Sequence, residues 1–221
     1  MISTHNSGTQ LSSGTWGGAP AIICAMLSML LGTVVLVGWY TNIPLLVQVL
    51  PTFVPMQYNT ALGFFLSGLG LLFATLSEKR IYVMLVATLG ILIALIGFLT
   101  LSQYIVGIDI GLDQLFMQHY ITVEVSHSGR MAANTAVCFS LMGIAILLMA
   151  LRAQHKARDL FIFILGLFVF SLGLVALFGY IVAIPTSYGW GNLTRMAVHT
   201  SVGFMMLGVG TVSYAWFESI K

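Results

Sequence analysis

The chain has 221 residues, of which 59% are hydrophobic and 6% are charged, and its formal net charge is +2. So few charged side chains cannot solvate the surface of a water-soluble globular protein of this length. The composition therefore predicts an all-α integral membrane protein, and we expect a lipid bilayer around it and no nucleic-acid partner.

The chain opens with a polar segment, residues 1–18, that is rich in Ser, Thr and Gly and that we expect to be a disordered tail. Six apolar runs follow, and each is long enough to cross a bilayer at about 20 residues per helix. They cover residues 19–41, 57–76, 81–106, 131–151, 159–184 and 195–217. We therefore expect one transmembrane domain of six helices over residues 19–221.

One sequence motif occurs three times, at the start of the second, fourth and sixth predicted helices. The copies begin at Met56, Met131 and Met196 and share the pattern Met-x-x-[Asn/His]-Thr-[Ala/Ser]-x-[Gly/Cys]-Phe. The polar position and the following threonine are Asn59 and Thr60, Asn134 and Thr135, and His199 and Thr200. Agreement at several fixed offsets indicates a chain built from repeated structural units.

The odd-numbered helices also end alike, which extends the repeat from one helix to a helical hairpin. Each ends near a tyrosine, at Tyr40, Tyr104 or Tyr180. This tyrosine precedes the polar motif residue by 19 positions in repeats one and three and by 30 positions in repeat two. We therefore expect three hairpins, over about residues 19–78, 79–155 and 156–221, with an insertion of 11 residues in the second.

A helix rotates by about 100° per residue, so the polar motif residue shares a helix face with the positions four and eleven residues later. All six of those positions are Gly, Ala or Cys, which allows neighbouring helices to approach closely. An unpaired amide that faced lipid would cost about 1–3 kcal/mol. We therefore expect a pseudo-threefold ring of hairpins, with the even-numbered helices lining its centre and Asn59, Asn134 and His199 at one depth.

The Lys and Arg residues predict the orientation, because cytoplasmic loops carry an excess of them. One set of turns and ends holds six of these residues, namely Lys79, Arg80, Arg152, Lys156, Arg158 and Lys221. The opposite set holds Arg130 and Arg195. We therefore expect both termini and the short turns in the cytoplasm and the motif on the outer side of the membrane.

Polar side chains inside a membrane are costly unless they find partners, so they often mark functional sites. Three at one depth predict a polar chamber that opens outward and binds a small ligand. The predicted ligand-binding residues are Asn59, Thr60, Asn134, Thr135, Arg195, His199 and Thr200, with Tyr40, Tyr104 and Tyr180 at the rim. Alternatively, the two asparagines cap or cross-link helices and His199 is a structural histidine.

The insertion concentrates six ionisable side chains within 22 positions, namely Asp109, Asp113, His119, Glu124, His127 and Arg130. These residue types suit zinc or copper, so one candidate metal site combines His199, His127, His119, Glu124 and Asp113. Met196 lies three residues before His199, which makes a Cu(I) site conceivable. Haem b could be held between His199 and either His119 or His127. Alternatively, the insertion is an exposed polar lid.

Several segments resemble a known bacterial family. They are the motif copies with Asn-Thr-Ala, the Gly-Ile-Asp-Ile-Gly-Leu-Asp-Gln-Leu segment from Gly107, and the Tyr-Gly-Trp-Gly-Asn-Leu-Thr-Arg-Met-Ala-Val-His-Thr segment that ends at Thr200. They look like the membrane-embedded N-terminal sensory regions of PAS-containing sensor histidine kinases and diguanylate cyclases, over nearly the whole chain after residue 19. The resemblance implies a sensor whose last helix continues to a cytoplasmic signalling module.

The sequence to Lys221 contains no kinase, cyclase or PAS segment, so we expect the output module to be a fused or separate partner, and we expect a homodimer. No charged residue lies within the predicted helices away from their ends, which argues against an ion or proton relay. No nucleophile–base–acid arrangement is seen, so we expect no catalysis. The expected function is detection of a small ligand or redox cue; the alternative is a haem- or metal-binding redox protein.

Overall fold

The computed structural model describes residues 18–76, 79–121, 123, 126–151 and 155–220. The predicted disordered tail, apart from Gly18, lies outside this part of the chain, and so does the candidate metal ligand Glu124. Two of the six basic residues that predict the orientation, Arg152 and Lys221, also lie outside it.

All regular elements in the described residues are helical, which confirms the predicted all-α class. The six long helices are α1 (Ala19–Thr41), α3 (Tyr58–Leu76), α4 (Arg80–Val106), α5 (Ala133–Ala150), α6 (Lys156–Ile181) and α7 (Val198–Ser219). Two short elements were not predicted, namely α2 (Pro44–Val47) and a 3₁₀ turn (Pro185–Ser187). Each begins at a proline, whose fixed φ angle suits the first turn of a helix.

Five helices, α1, α3, α4, α5 and α6, are long and apolar enough to cross a membrane. The outward faces of α1, α4 and α6 carry exposed large apolar side chains such as Leu30, Phe98 and Phe168. The helix α7 is not among the five, because its sequence is rich in Gly, Ser and Thr. The structure therefore indicates a multi-pass membrane protein.

The long helices pack as three hairpins, α1 with α3, α4 with α5 and α6 with α7. Each hairpin also packs against the next one, through α3 and α4, through α5 and α6, and through α7 and α1, so the contacts close a ring. The second helices of the hairpins, α3, α5 and α7, contact one another. These contacts agree with the predicted ring in which the even-numbered long helices line the centre.

The phenylalanine of each motif copy occupies this centre. The ring centroids of Phe64, Phe139 and Phe204 lie 5.3 Å (Phe64 to Phe139), 4.8 Å (Phe64 to Phe204) and 4.9 Å (Phe139 to Phe204) apart. All three rings are fully buried. The three phenylalanines, called here the phenylalanine ring, mark the axis around which the hairpins are arranged.

Glycines of the first helix in each hairpin allow close contact with the second. In each hairpin, a Cβ atom added to one glycine of the first helix would come too close to the carbonyl oxygen of the motif residue that follows the threonine. The distances are 2.5 Å from Gly32 to Ala61, 2.7 Å from Gly97 to Ala136 and 2.6 Å from Gly173 to Ser201. Because the same close approach recurs in all three hairpins, the repeat is present in the structure as well as in the sequence.

Candidate functional site

The candidate site lies at the long-loop end of the bundle, where α3, α5 and α7 begin. Three loops cover this end, and they are called here loop 1 (residues 42–57), loop 2 (residues 107–132) and loop 3 (residues 182–197). At the opposite end the connections between hairpins are short. The motif residues predicted to bind ligand all lie at this covered end.

Three threonines lie one helical turn from the phenylalanine ring, toward the loops. Thr60, Thr135 and Thr200 each precede the motif phenylalanine by four residues, so they share its helix face. Their side chains are buried, with 2%, 1% and 2% of the residue surface exposed. These three residues are called here the threonine ring.

The polar motif residues lie beside the threonine ring but do not hydrogen-bond to one another in the described structure. The Asn134 amide donates to the carbonyl oxygen of Tyr188 in loop 3 at 3.3 Å, and its side-chain oxygen accepts from the Thr135 N–H at 2.9 Å. The His199 ring faces the backbone of Val47 at the end of α2. Each of these two residues therefore faces the covering loop of the following hairpin.

The third polar motif residue, Asn59, is 6% exposed, and neither atom of its amide group has a hydrogen-bond partner in the described structure. The side-chain amide of the neighbouring Gln57, which is 2% exposed, also has no hydrogen-bond partner there. The same is true of the two ring nitrogens of His199. Buried polar atoms in native proteins are nearly always paired with protein, water or a ligand. Gln57, Asn59 and His199 therefore form the strongest indication of a binding site in this chain.

At the end of the first helix of each hairpin, one aromatic side chain hydrogen-bonds to the methionine that begins the motif. Tyr104 donates its hydroxyl hydrogen to the Met131 carbonyl at 2.9 Å, and Tyr180 donates to the Met196 carbonyl at 2.8 Å. In the first hairpin Trp39 fills this place, since its indole N–H donates to the Met56 carbonyl at 2.9 Å.

Tyr40 is instead 64% exposed, and its hydroxyl shares a hydrogen bond of 2.9 Å with the hydroxyl of Tyr58 at the start of α3. The equal spacing of 19 residues suggested Tyr40, but the hydrogen-bonded groups are 17 residues apart in the first hairpin and 16 in the third. The backbone confirms the corrected register. Asn42 and Ala183, three residues after Trp39 and Tyr180, both have positive φ angles, and so does Gly107 after Tyr104.

A buried ion pair anchors loop 2. Arg130 donates from Nε to the Asp113 carboxylate at 2.6 Å, and the two side chains are 2% and 4% exposed. Gln103, at the end of α4, donates to the same carboxylate at 3.0 Å and accepts from Arg130 at 3.3 Å. Since Asp113 already binds both partners, it is committed to holding the loop in place.

Loop 2 also contacts both neighbouring hairpins. On one side the His119 ring lies 5.4 Å from the Trp39 ring and its neighbour Tyr120 packs edge-on to the same indole. On the other side Ser126 exchanges hydrogen bonds with Thr194 of loop 3, at 3.0 Å between the hydroxyls and 3.0 Å from the Thr194 N–H. The inserted loop therefore covers the junctions at this end of the bundle.

His119 is partly buried in loop 2. Burial lowers the pKa of this imidazole, and the nearby backbone of Ile121 partly offsets that effect. Its ring nitrogens are buried and have no hydrogen-bond partner among the described residues. The neutral form of His119 is therefore favoured while loop 2 is docked.

The candidate metal ligands are not brought together in the described structure. No group of three His, Cys, Asp or Glu side chains there is close enough to hold a metal ion. Asp113 is bound to Arg130, His119 packs against Trp39, and the exposed His127 bonds to Ser126 through Nδ1 at 3.1 Å. Glu124, which lies outside the described residues, is not placed.

The remaining predicted site residue, Arg195, lies in loop 3. Its guanidinium carbon is 5.7 Å from the centroid of the Tyr188 ring, a cation–π geometry. Tyr188 in turn stacks on Tyr180 with ring centroids 3.8 Å apart. Arg195 therefore packs on the tyrosine whose carbonyl oxygen accepts the hydrogen bond from the Asn134 amide.

The sequence prediction missed Gln57, Trp39 and Gln103. Gln57 lies inside the repeated motif, but Ala132 and Ala197 occupy its place in the other copies, so it is not part of the shared pattern. Trp39 is adjacent to Tyr40, and Gln103 lies among apolar residues. The sequence signal for Gln57 is a polar residue at a motif position where the other two copies have alanine.

No protein-family model matches this chain, and no curated protein and no solved structure matches it either.

Proposed function

We propose that this chain is a membrane-embedded sensory domain that binds a small ligand beneath loops 1 to 3 and passes a signal along α7. The observation that carries the proposal is the group of buried, unpaired polar atoms on Gln57, Asn59 and His199. Leaving such a group unpaired costs about 1–3 kcal/mol each. A bound ligand or water that accepts and donates hydrogen bonds there offsets this cost.

The proposal includes six membrane spans, with both termini in the cytoplasm of a bacterial cell. The polar residues that lower the apolarity of α7 include Thr200, Ser201 and Thr211, which are buried against protein and do not face lipid. At the long-loop end, one of the two basic residues, Arg130, is neutralised by Asp113. The short-turn end holds six of the eight Lys and Arg residues, and this excess supports a cytoplasmic location for that end.

The orientation is tested by labelling in whole cells. An impermeant maleimide should react with Asn192→Cys in intact cells and with Lys79→Cys only after the inner membrane is opened. Native Cys138 is buried and Cys24 is half-buried within α1, so both are replaced by alanine in the background protein. Labelling with the opposite pattern overturns the orientation.

Helix α7 suits the role of signal carrier because it connects the site with the short-turn end. It begins at Val198, beside the candidate ligand-binding residues His199 and Thr200. At its other end Glu218 lies 3.9 Å from Arg158 of α6. If α7 can occupy two placements in the bundle, a ligand that binds one placement more tightly raises the population of that placement. A kinase or cyclase module, fused or separate, in a homodimer is the partner we propose for that end.

The function is tested by fusing the chain to a histidine kinase module and measuring phosphorylation in membranes. Asn59→Leu removes the unpaired amide at nearly constant volume, and we expect it to change kinase output at least about tenfold. Thr211→Val, a buried substitution on α7 that is eleven residues from the threonine ring, is the matched control and should stay within about twofold. Unchanged output from both Asn59→Leu and His199→Ala, in proteins of normal thermal stability, contradicts the proposal.

A redox protein with haem or a metal is a second candidate, because the ring nitrogens of His119 and His199 are both buried and unpaired in the described structure. A series of contacts through the first hairpin lies between the two histidines. The His119 ring contacts Trp39, whose indole N–H donates to the Met56 carbonyl. The Met56 N–H donates to the Val47 carbonyl, and the Val47 backbone faces His199. A haem between them therefore requires loop 1 to move. Absence of a Soret band in protein made with excess haem rejects this candidate.

A further inference from the structure

We propose that residues 114–121 of loop 2 form a lid over the first hairpin, and that Gln57 and Asn59 become accessible when this lid lifts from Trp39 and Tyr58. The site is that of the proposed function, on which this inference rests, and the lid adds the means by which access to it is controlled. Two observations carry the inference. Polar atoms without partners lie on both sides of the contact, and mainly aromatic rings hold its two sides together.

Aromatic contacts hold the lid against the first hairpin. The ring pairs are Phe116 with Tyr58, His119 with Trp39 and Tyr120 with Trp39, at centroid distances of 6.3 Å, 5.4 Å and 4.9 Å. The Tyr120 hydroxyl also donates to the Gly38 carbonyl at 3.4 Å, which is longer than the roughly 2.5–3.0 Å of a strong O–H···O bond. Because Phe116 and Tyr120 remain 61% and 39% exposed, these contacts bury little of the lid.

Polar atoms without hydrogen-bond partners lie on both sides of this contact. On the hairpin side they belong to the side-chain amides of Gln57 and Asn59, which flank Tyr58 and are both more than nine-tenths buried. On the lid side they are the two ring nitrogens of His119. Buried polar atoms in native proteins are nearly always paired. The closed lid therefore shields these groups from water without giving them partners in the described structure, and opening of the lid restores their hydration.

The repeat indicates that Asn59 faces the lid. The Asn134 amide donates to Tyr188 in loop 3, and the His199 ring faces the Val47 backbone in loop 1, so each contacts the covering loop of the following hairpin. The covering loop that follows Asn59 is loop 2, yet the Asn59 amide makes no hydrogen bond in the described structure. Loop 2 is therefore the covering loop that this motif position does not hold in place.

The lid can move as a unit because its base is fixed separately. Asp113, directly before the lid, is buried and bonded to Arg130 and Gln103. Within the lid, the His119 N–H donates to the Gln114 side chain at 3.1 Å. None of these bonds crosses to the first hairpin, so all of them are kept when the lid lifts. Loops that cover binding sites are commonly the parts of a protein that open most readily.

The test compares cysteines placed under loop 2 and under loop 3 in the purified full chain, with Cys24 and Cys138 replaced by alanine. Asn59→Cys is the reporter and Asn134→Cys is the matched control, since the native residues are 6% and 5% exposed at equivalent places. We expect a small methanethiosulfonate reagent to modify Asn59→Cys at least about tenfold faster, because reaction there needs only the lid to open. Equal rates, or a faster reaction at position 134, overturn the proposal.

Two substitutions in the Asn59→Cys protein identify what opens the lid. Gln57→Leu removes an unpaired buried amide at similar volume and should slow the modification at least about threefold, because the closed lid no longer buries that group. Gln48→Leu is the control, since this amide is also buried but donates to the carbonyls of Leu50 and Phe53. It should not slow the reaction. Equal slowing by both substitutions, or no slowing by Gln57→Leu, contradicts the lid.

The lid and the proposed function fail in different ways. Faster modification at position 59 that Gln57→Leu slows, together with unchanged kinase output from the fused Asn59→Leu and His199→Ala proteins, supports the lid and contradicts the sensory function. Equal modification at positions 59 and 134, together with altered kinase output, contradicts the lid and supports the sensory function.

Discussion

The buried carboxylate of Asp113 shows how one side chain can determine the position of a loop of more than twenty residues. Its two hydrogen-bonded partners come from different places, Gln103 at the end of α4 and Arg130 at the end of loop 2. Because both ion-pair partners are buried, removal of either charge leaves the other without compensation. The network therefore closes loop 2 at its base.

Asp113→Asn should lower the free energy of unfolding by about 3–5 kcal/mol, because the buried Arg130 charge loses its partner. Asp109→Asn is the matched control. Its carboxylate is 69% exposed and 3.7 Å from the same guanidinium, so the change should be less than about 0.5 kcal/mol. Denaturation in mixed micelles measures both values. A similar small effect of the two substitutions would show that the pair contributes little.

His119 gives loop 2 a dependence on pH. Burial lowers the pKa of His119 in the folded protein, so the unfolded chain binds the proton more readily. The stability that depends on neutral His119 is therefore complete above the unfolded pKa of about 6.5 and is lost as the pH falls below it. Unfolding temperatures measured from pH 7.5 to pH 5 should fall less steeply for His119→Gln than for the parent. Parallel curves for the two proteins contradict this assignment.

At the scale of the helix, the sequence predicted the number of long helices and placed their ends within about three residues. Apolar runs and repeated glycines determine these features locally, so they can be recognised without tertiary information. Two other features depend on tertiary contacts, which the sequence does not show directly. The register of the first hairpin was wrong by one residue, because an indole N–H and a phenol O–H can bind the same carbonyl. Of the candidate metal ligands, Asp113 and His119 pack into separate contacts of loop 2.

The contact between α4 and α5 depends on a missing side chain. A Cβ at Gly97 would lie 2.5 Å from the backbone nitrogen of Ser140 and 2.7 Å from the Ala136 carbonyl oxygen. Gly97→Ala should therefore separate the two backbones and destabilise the fold by about 1–3 kcal/mol, although alanine favours helix formation by up to about 1 kcal/mol.

Gly70→Ala serves as the control for Gly97→Ala in the same unfolding measurement. The nearest atoms to its Cβ are at the flexible Ile146 side chain, at 3.1 Å and 3.2 Å, so we expect a smaller effect of either sign. Equal destabilisation by the two substitutions would mean that backbone approach at Gly97 is not the limiting contact.

At the scale of the whole molecule, the three motif copies perform different tasks in equivalent places. The phenylalanines and threonines are identical and lie near the axis, where all three hairpins meet. The polar position varies between Asn59, Asn134 and His199, and in the described structure only the Asn134 side chain is hydrogen-bonded. The repeat could be predicted from the sequence because identical residues recur at fixed spacings. The different hydrogen bonding of the three polar residues could not be predicted, because it depends on contacts with loops of different length and composition.

The ring itself is tested by energetic coupling between hairpins. Phe64 and Phe204 belong to different hairpins, and their ring centroids are 4.8 Å apart. Aromatic pairs of this geometry contribute about 0.5–1.5 kcal/mol beyond the area they bury. A double-mutant cycle with Phe64→Leu and Phe204→Leu should therefore give a coupling energy in this range.

Phe73→Leu combined with Phe204→Leu provides the control cycle. Phe73 lies nine residues after Phe64 on α3, about 13.5 Å along the helix, and its ring contacts Tyr82 of α4. Sites this far apart usually add within about 0.5 kcal/mol. If both cycles are additive, the phenylalanine ring does not hold the hairpins together, and the threonine ring above it is no longer positioned by that contact. If only the first cycle is coupled, the three hairpins fold around one shared centre, and the polar residues of each copy are kept at a common depth by the same three side chains.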